Sequence, residues 1–228
     1  AGDCEESLDC ESGEFCEPTL EKCLPQFPAE GLCEFAEIGE FSPTLKWSWT
    51  QTTVQPAYDQ AVSAPLIVDL DDDGVPEVIF TTKAAPHQNI TGYMRVLDGK
   101  TGAEKWDGST DALSGANPVN TTFSPAVADL EGDGPAEIVA LATTGEIIAF
   151  TADGAVKWRS RKPDDTAYAG FAGKYSSAIS LADMDADGKG EVVLGGVVLD
   201  HTGKVISGIG RELLSQVGGY GMSSVIAD

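Results

Sequence analysis

Three short acidic segments are the part of the sequence best suited to chemistry. Each reads acid-x-acid-x-acid-Gly-x-x-Glu, so carboxylates stand at positions 1, 3, 5 and 9. These carboxylates are Asp69, Asp71, Asp73 and Glu77 in the first loop, Asp129, Glu131, Asp133 and Glu137 in the second, and Asp183, Asp185, Asp187 and Glu191 in the third. Hard oxygen ligands at alternating positions suit Ca2+, which takes roughly six to eight of them. The sequence therefore predicts Ca2+ in all three loops.

The backbone of the loops supports this prediction. Position 6 is always glycine, where a sharp reversal of the chain favours a positive φ. Position 7 is expected to contribute a backbone carbonyl, from Val75, Pro135 and Lys189. Carboxylates held ~4 Å apart repel by about 4 kcal/mol at an effective dielectric constant of ~20, so a cation would relieve strain. The alternative is that these segments are solvated acidic turns.

An EF-hand is excluded by position 12. That motif has its bidentate glutamate there, whereas these segments have Phe80, Ala140 and Leu194. Each acidic loop is instead preceded by a short apolar run and followed at once by a β-branched run, which predicts strand, loop, strand.

A second marker recurs between the loops and sets the size of the repeat. Gly-bearing turns precede the pairs Lys105-Trp106 and Lys157-Trp158; Lys46-Trp47 matches them, and Val205-Ile206 holds the fourth place. Each unit then reads as four short antiparallel strands, the blade of a β-propeller. We expect three to four blades, an all-β chain, and continuation beyond Asp228, where the template demands another acidic loop. The tryptophan is expected to pack between blades.

The loops with an acid at position 9 resemble the calcium loops of FG-GAP/VCBS repeats, the family that includes the integrin α-subunit propeller. The resemblance covers roughly residues 44–228 and implies a propeller with calcium loops on one rim. Glu131 departs from the usual Asp or Asn at position 3, so the second site is expected to be weaker. The segment Leu97–Trp106 also resembles the tryptophan-docking motif of quinoprotein dehydrogenase propellers, which is structural.

The cysteines define a separate N-terminal module. All five lie within the first 33 residues, with no CxxC pair and no nearby histidine, which disfavours zinc and haem. We therefore expect a disulfide-rich header at residues 1–40, before the propeller at 41–228, and an oxidising compartment. Four cysteines allow three connectivities; Cys4–Cys16 with Cys10–Cys23 is favoured, and Cys33 is left over.

Composition and charge limit the functions that the chain can have. With 14 basic and 37 acidic residues its net charge is -23, which argues against nucleic acid, and no apolar run is long enough to span a bilayer. His87 and His201 are expected at the surface, and no hydrolase or metalloprotease motif occurs. The expectation is a secreted or cell-surface calcium-binding module for adhesion, interaction or structure, not an enzyme, with a protein or glycan partner or self-assembly. The alternative is a carbohydrate-active propeller, lyase or lectin-like.

Overall fold

The structure is a computed structural model, and it describes residues 9–11, 14–17, 22–25, 43–50, 52–85, 90–172 and 177–209. The chain divides into two compact units, Ala1–Leu45 and Lys46–Asp228. Among the described residues there is no α-helix, and a short 3-10 helix spans Asp111–Leu113, so the all-β prediction is confirmed. No helix in this part of the chain has the length and apolar character needed to span a bilayer.

The first unit contains a disulfide-linked hairpin. Strands β1 (Glu14–Glu17) and β2 (Lys22–Pro25) are antiparallel, with Cys16 opposite Cys23. A disulfide joins Cys10 to Cys23, as predicted, across a Cα–Cα distance of 5.5 Å. Cys16 is also disulfide-bonded, and its predicted partner Cys4 lies outside the described residues, as does Cys33. Cys16 and Cys23 are buried and Cys10 packs against them, so sulfur forms the core of this hairpin.

The second unit contains three antiparallel sheets that follow one another along the chain, and a short parallel pair formed by Phe123–Ser124 and Ser177–Ala178. The first contains β3 (Gln60–Ala61), β4 (Leu66–Val68), β5 (Glu77–Lys83), β6 (Thr91–Asp98) and β7 (Val119–Asn120). After β8 (Phe123–Ser124), the second has the order β9 (Ala126–Ala128), β10 (Glu137–Leu141), β11 (Ile147–Phe150), β12 (Val156–Arg159). After β13 (Ser177–Ala178), the third has the order β14 (Ser180–Ala182), β15 (Glu191–Leu194), β16 (Val197–Leu199), β17 (Val205–Ser207). The second and third sheets are therefore the predicted four-stranded antiparallel units, whereas the first sheet has five strands.

Two hydrophobic cores lie between these sheets, one on each face of the second sheet. Ile138 and Phe150 pack with Ile79 of the first sheet, whereas Val139 packs with Val192 of the third. Successive side chains of a strand point to opposite faces, so a strand covered on both sides must be apolar at every position. The continuous apolar run at residues 138–141 of β10 indicates this burial on both faces. Each fully buried side chain of the size of valine or leucine contributes about 1.5–3 kcal/mol to the stability of the fold.

A tryptophan joins each unit to the next at a glycine turn. Cβ atoms placed on Gly102, Gly154 and Gly203 would lie 2.6, 2.9 and 2.4 Å from the rings of Trp47, Trp106 and Trp158, respectively. Trp47 Nε1 donates to the Gly99 carbonyl at 3.1 Å, and Trp106 Nε1 to the Ala152 carbonyl at 2.9 Å. The tryptophans therefore pack between successive units, as the repeat predicted.

The fourth marker was assigned one residue too early. Glu104, Val156 and Val205 pair with the equivalent residues Leu97, Phe150 and Leu199 of the preceding strands. The next two residues of the third unit are then Ile206, in the place of Lys105 and Lys157, and Ser207, in the place of the tryptophan. The third sheet thus has neither a lysine nor a tryptophan at these positions.

The sequence contains two N-glycosylation sequons, at Asn89 and Asn120, and the second lies inside the fold. Asn120 is 5% exposed, and its side-chain oxygen accepts hydrogen bonds from the Thr122 amide and hydroxyl at 3.1 and 2.7 Å. This asparagine is not accessible to a glycosyltransferase once the sheet has formed. The other sequon, at Asn89, lies outside the described residues.

Candidate metal centre

The glutamate at position 9 anchors each acidic loop to the sheet that follows it. Glu77, Glu137 and Glu191 are the first residues of β5, β10 and β15 and are 0%, 3% and 5% exposed. In each loop one of its oxygens accepts the backbone N–H of position 2, at 2.8, 3.0 and 2.8 Å. A buried carboxylate needs such partners, and this one leaves its second oxygen for another group.

The aspartate at position 1 folds the loop back on itself. Its Oδ2 accepts the N–H of the glycine at position 6, at 2.8 Å in the first loop, 2.7 Å in the second and 2.9 Å in the third. These glycines have φ values of +83°, +115° and +86°, the left-handed region that glycine enters without penalty. In the second loop Asp129 accepts four backbone N–H groups, and the bond from Gly134 is the largest of the contributions that lower its pKa.

The first and third loops bring three carboxylates together at positions 1, 3 and 9. Oxygen atoms of Asp69, Asp71 and Glu77 lie within 4.8 Å of one another, as do those of Asp183, Asp185 and Glu191. These acidic clusters could hold a metal ion, and a donor set made of carboxylate oxygens fits Ca2+. The position 5 aspartates stay outside both clusters: Asp73 and Asp187 instead accept the N–H of position 7.

The second loop does not form such a cluster in the described structure. Glu131 occupies position 3 with a longer side chain than aspartate, and it reaches Lys157 at 2.6 Å. The same ammonium lies 2.7 Å from Glu137. In the second loop, therefore, a lysine stands between the two carboxylates that the sequence assigned to a metal ion.

The first loop has the same arrangement with Lys105. Its Nζ donates to Asp71 Oδ2 at 2.6 Å and to Glu77 Oε1 at 2.9 Å. Burial alone would lower the pKa of Lys105, but the hydrogen bonds to Asp71 and Glu77 outweigh it and hold that pKa above its ordinary value. The pKa of Lys157 is raised in the same way, by Glu131 and Glu137 against the effect of burial.

In the sequence these two lysines stand out only as part of the Lys-Trp repeat marker. Lys105 is 28 residues from Glu77 and Lys157 is 20 residues from Glu137, so no local pattern connects them. The available signal was their fixed place three residues after Gly102 and Gly154.

The loops are also linked to each other across the sheets. Ala136 N–H, at position 8 of the second loop, donates to the Leu70 carbonyl, at position 2 of the first, at 3.2 Å. Gly190 N–H repeats this bond with the Leu130 carbonyl at 2.9 Å. Leu70 and Leu130 are buried in the cores on either side of the second sheet. The three loops therefore lie in one row along the same edge of the unit.

Comparison with known proteins gives two informative similarities. No protein-family profile matches the chain. The chain is 28% identical to the rhamnogalacturonan endolyase YesW of Bacillus subtilis (strain 168), over 61% of this chain and 28% of the endolyase. Among solved structures, the biofilm matrix protein Bap1 of V. cholerae is similar with a TM-score of 0.51 and 25% identity, over 72% of this chain and 33% of that one. The crystal structure of rhamnogalacturonan lyase YesW gives a TM-score of 0.46 and 22% identity, over 77% of this chain and 34% of that one.

These similarities correct one expectation from the sequence. The prediction that the protein is not an enzyme is wrong, because the curated protein that it resembles in sequence is a lyase. The absence of familiar hydrolase motifs gave no indication of this. The chain spans about 28% of the length of that relative and 33% of Bap1.

Proposed function

We propose that this chain is the calcium-binding part of a secreted, carbohydrate-active protein that cleaves an acidic polysaccharide of the rhamnogalacturonan class as a lyase. The observation that carries the proposal is the 28% identity to a rhamnogalacturonan endolyase over 61% of the chain. Because the match spans 28% of that enzyme, the activity is proposed for the protein to which these units belong.

The charge of the chain gives calcium a definite role in this proposal. A protein with a net charge of -23 repels a polysaccharide that carries uronate carboxylates, so direct contact is electrostatically unfavourable. Asp71, Asp183 and Asp185 are not buried, so a Ca2+ ion on their carboxylates would keep coordination positions open to solvent. Such an ion can bind protein and polysaccharide carboxylates at once.

We infer that the sheets are blades of a β-propeller of the FG-GAP/VCBS type. Three successive antiparallel sheets of four or five strands, cores between neighbouring sheets, and a tryptophan docked on the next unit's turn all support this architecture. The disulfide supports secretion into an oxidising compartment. The remaining predicted ligands belong to this proposal as well: the position 5 aspartates Asp73, Asp133 and Asp187, the three position 7 carbonyls, and Asp129, Glu131 and Glu137 of the second loop.

A second candidate is a structural or adhesive role in which the protein binds a glycan without cleaving it. The observation that favours it is the similarity to the biofilm matrix protein Bap1. The two candidates share a glycan ligand and differ only in whether a bond is broken.

The test is incubation of the full-length protein with rhamnogalacturonan in Ca2+, monitored by the ultraviolet absorbance of the unsaturated uronate that a lyase generates. We expect absorbance to increase with rhamnogalacturonan and to stay flat with a neutral glucan. Retention of the protein by the polysaccharide without any unsaturated product would favour the matrix role. Neither cleavage nor retention would reject both candidates.

A further inference from the structure

We propose that Lys105 and Lys157 are built-in cations of the first and second acidic loops, which leaves the third loop as the high-affinity Ca2+ site of the three. The inference rests on the calcium binding of the proposed function. It adds a ranking of the loops and identifies the side chains that set it.

The two lysines occupy equivalent places with equivalent geometry. Each ammonium bridges positions 3 and 9 of its loop, at 2.6 and 2.9 Å for Lys105 and at 2.6 and 2.7 Å for Lys157. These are two of the three positions whose carboxylates converge in the first and third loops. The lysine therefore holds the oxygens that a Ca2+ ion would need.

Both carboxylate oxygens of the position 9 glutamate already accept a hydrogen bond while the lysine is present. Glu77 Oε2 accepts the Leu70 N–H and Glu77 Oε1 accepts Lys105; Glu137 divides its oxygens in the same way between Leu130 and Lys157. Because this glutamate is buried, leaving either oxygen unpaired is costly. An incoming ion must displace the ammonium, and the displaced lysine, whose side chain is only 26% or 21% exposed, must find a new position.

The third loop has no such competitor. Strand pairing places Ile206 where the other units have lysine, and this side chain is 58% exposed. The nearby Lys189 does not replace it, because its ammonium lies 3.3 Å from His201 Nε2. Within the described part of the chain, Asp183, Asp185 and Glu191 make no ion pair with a lysine or arginine, and they form a three-carboxylate cluster.

The experiment is isothermal titration of the metal-free protein with Ca2+, comparing the wild type with two reciprocal variants. Lys157→Met keeps an unbranched side chain as far as Cε and removes the ammonium, so Ca2+ affinity at the second loop should rise by about tenfold or more. Ile206→Lys installs an ammonium beside the third loop, so affinity there should fall by about tenfold. Lys105→Met repeats the first test in the first loop.

Two control variants separate this local effect from net charge and from side-chain loss. Lys100→Met removes an exposed positive charge from the turn after β6, and Ile206→Gln removes the isoleucine without adding a charge. Both should leave the Ca2+ isotherm unchanged. Circular dichroism confirms that each variant is folded, and the melting temperature of Lys157→Met should be below the wild-type value in chelator and recover in Ca2+.

The possible outcomes separate failure of the lysine inference from failure of the proposed calcium binding. Equal Ca2+ affinity in the wild type, Lys157→Met and Ile206→Lys would overturn this inference and leave the proposed calcium binding intact. No Ca2+ binding by the wild type or by any lysine variant would overturn both. One tight site in the wild type that is weakened by Ile206→Lys, with a further site gained in Lys157→Met, would support the inference.

Discussion

At the scale of single residues, the carboxylates of this chain are held by hydrogen bonds as much as by charge. The carboxylate at position 1 of each acidic loop accepts hydrogen bonds from backbone N–H groups. The carboxylate at position 9 accepts one backbone N–H, with no cation required. The loop conformation is therefore encoded in the chain itself, and a metal ion would add to a geometry that already exists.

The residues of the candidate site could be predicted because their spacing is local. A period of two places positions 1 and 3 side by side, and the glycine at position 6 turns the chain so that position 9 returns to them. The lysines could not be assigned, since their contact depends on how the fourth strand approaches the loop. Whether position 3 reaches a lysine depends on the residue of the fourth strand: Asp71 and Glu131 each contact a lysine, whereas the third unit has Ile206 at the equivalent place.

A turn aspartate provides a pH prediction at this scale. Burial raises the pKa of Asp200, but hydrogen bonds from the Thr202 hydroxyl and from backbone N–H groups outweigh it, so that pKa lies below its ordinary value. A carboxyl with a depressed pKa contributes stability that is complete above its unfolded pKa of ~3.9 and is lost as the pH falls through the folded pKa. Asp200→Asn should lower the melting temperature by a constant amount above pH ~4, and the difference should shrink in more acidic buffer. A difference that is independent of pH would contradict this explanation.

At the scale of elements, the repeated contact is a tryptophan on a glycine turn. This contact joins each sheet to the next, and Trp106 and Trp158 are themselves members of the two cores. It explains why the spacing from turn to tryptophan is constant in the sequence. The first marker was easy to recognise because Lys-Trp is distinctive. The last marker lies one residue later than the sequence predicts, because Ile206-Ser207 has neither a lysine nor a tryptophan to reveal its place. The register shift in β17 is the same as the one in β12, where Lys157-Trp158 is easy to recognise.

Gly154→Ala tests the docking contact. Gly154 has a φ of +83°, and a Cβ there would lie 2.9 Å from the Trp106 ring. The left-handed backbone alone costs about 1–2 kcal/mol for a residue with a Cβ, and the clash adds to it. A chain of this size should lose roughly 2–4 °C in melting temperature for each kcal/mol.

Gly108→Ala is the matched control for this substitution. Its Cβ would meet only Val54 Cγ1 at 3.8 Å, an ordinary contact, and its φ is not in the left-handed region. It should change the melting temperature little. Equal effects of the two alanines in thermal unfolding would show that the docking contact does not stabilise the fold.

At the scale of the whole molecule, charge and calcium are coupled. The antiparallel sheets can be predicted from the sequence, because burial on both faces of the second sheet requires continuous apolar runs. The acidic loops mark where those runs end. Whether the sheets close into a propeller depends on contacts between distant parts of the chain, so the propeller remains a prediction. With a net charge of -23, each Ca2+ ion bound under the proposed function would also relieve self-repulsion.

Removal of calcium should therefore destabilise the protein. At a Ca2+ concentration about ten times Kd, each occupied site contributes about 1.4 kcal/mol to the free energy of unfolding, and a chelator removes that contribution. Mg2+ should restore little of it, because Mg2+ requires a small octahedral site and retains its water ligands. Urea unfolding in Ca2+, in chelator and in Mg2+ measures this directly. Identical unfolding curves would mean that the acidic loops are solvated turns.

Affinity electrophoresis in gels that contain rhamnogalacturonan tests directly whether this protein binds the polysaccharide through calcium. We expect retardation in Ca2+, recovery of free mobility in chelator, and weaker retardation of Asp185→Ala, which lacks a carboxylate of the third-loop cluster. A neutral glucan in the gel should cause no retardation. Migration that is the same in Ca2+ and in chelator, with or without retardation, would contradict the proposal that calcium on the acidic loops joins this protein to an acidic polysaccharide.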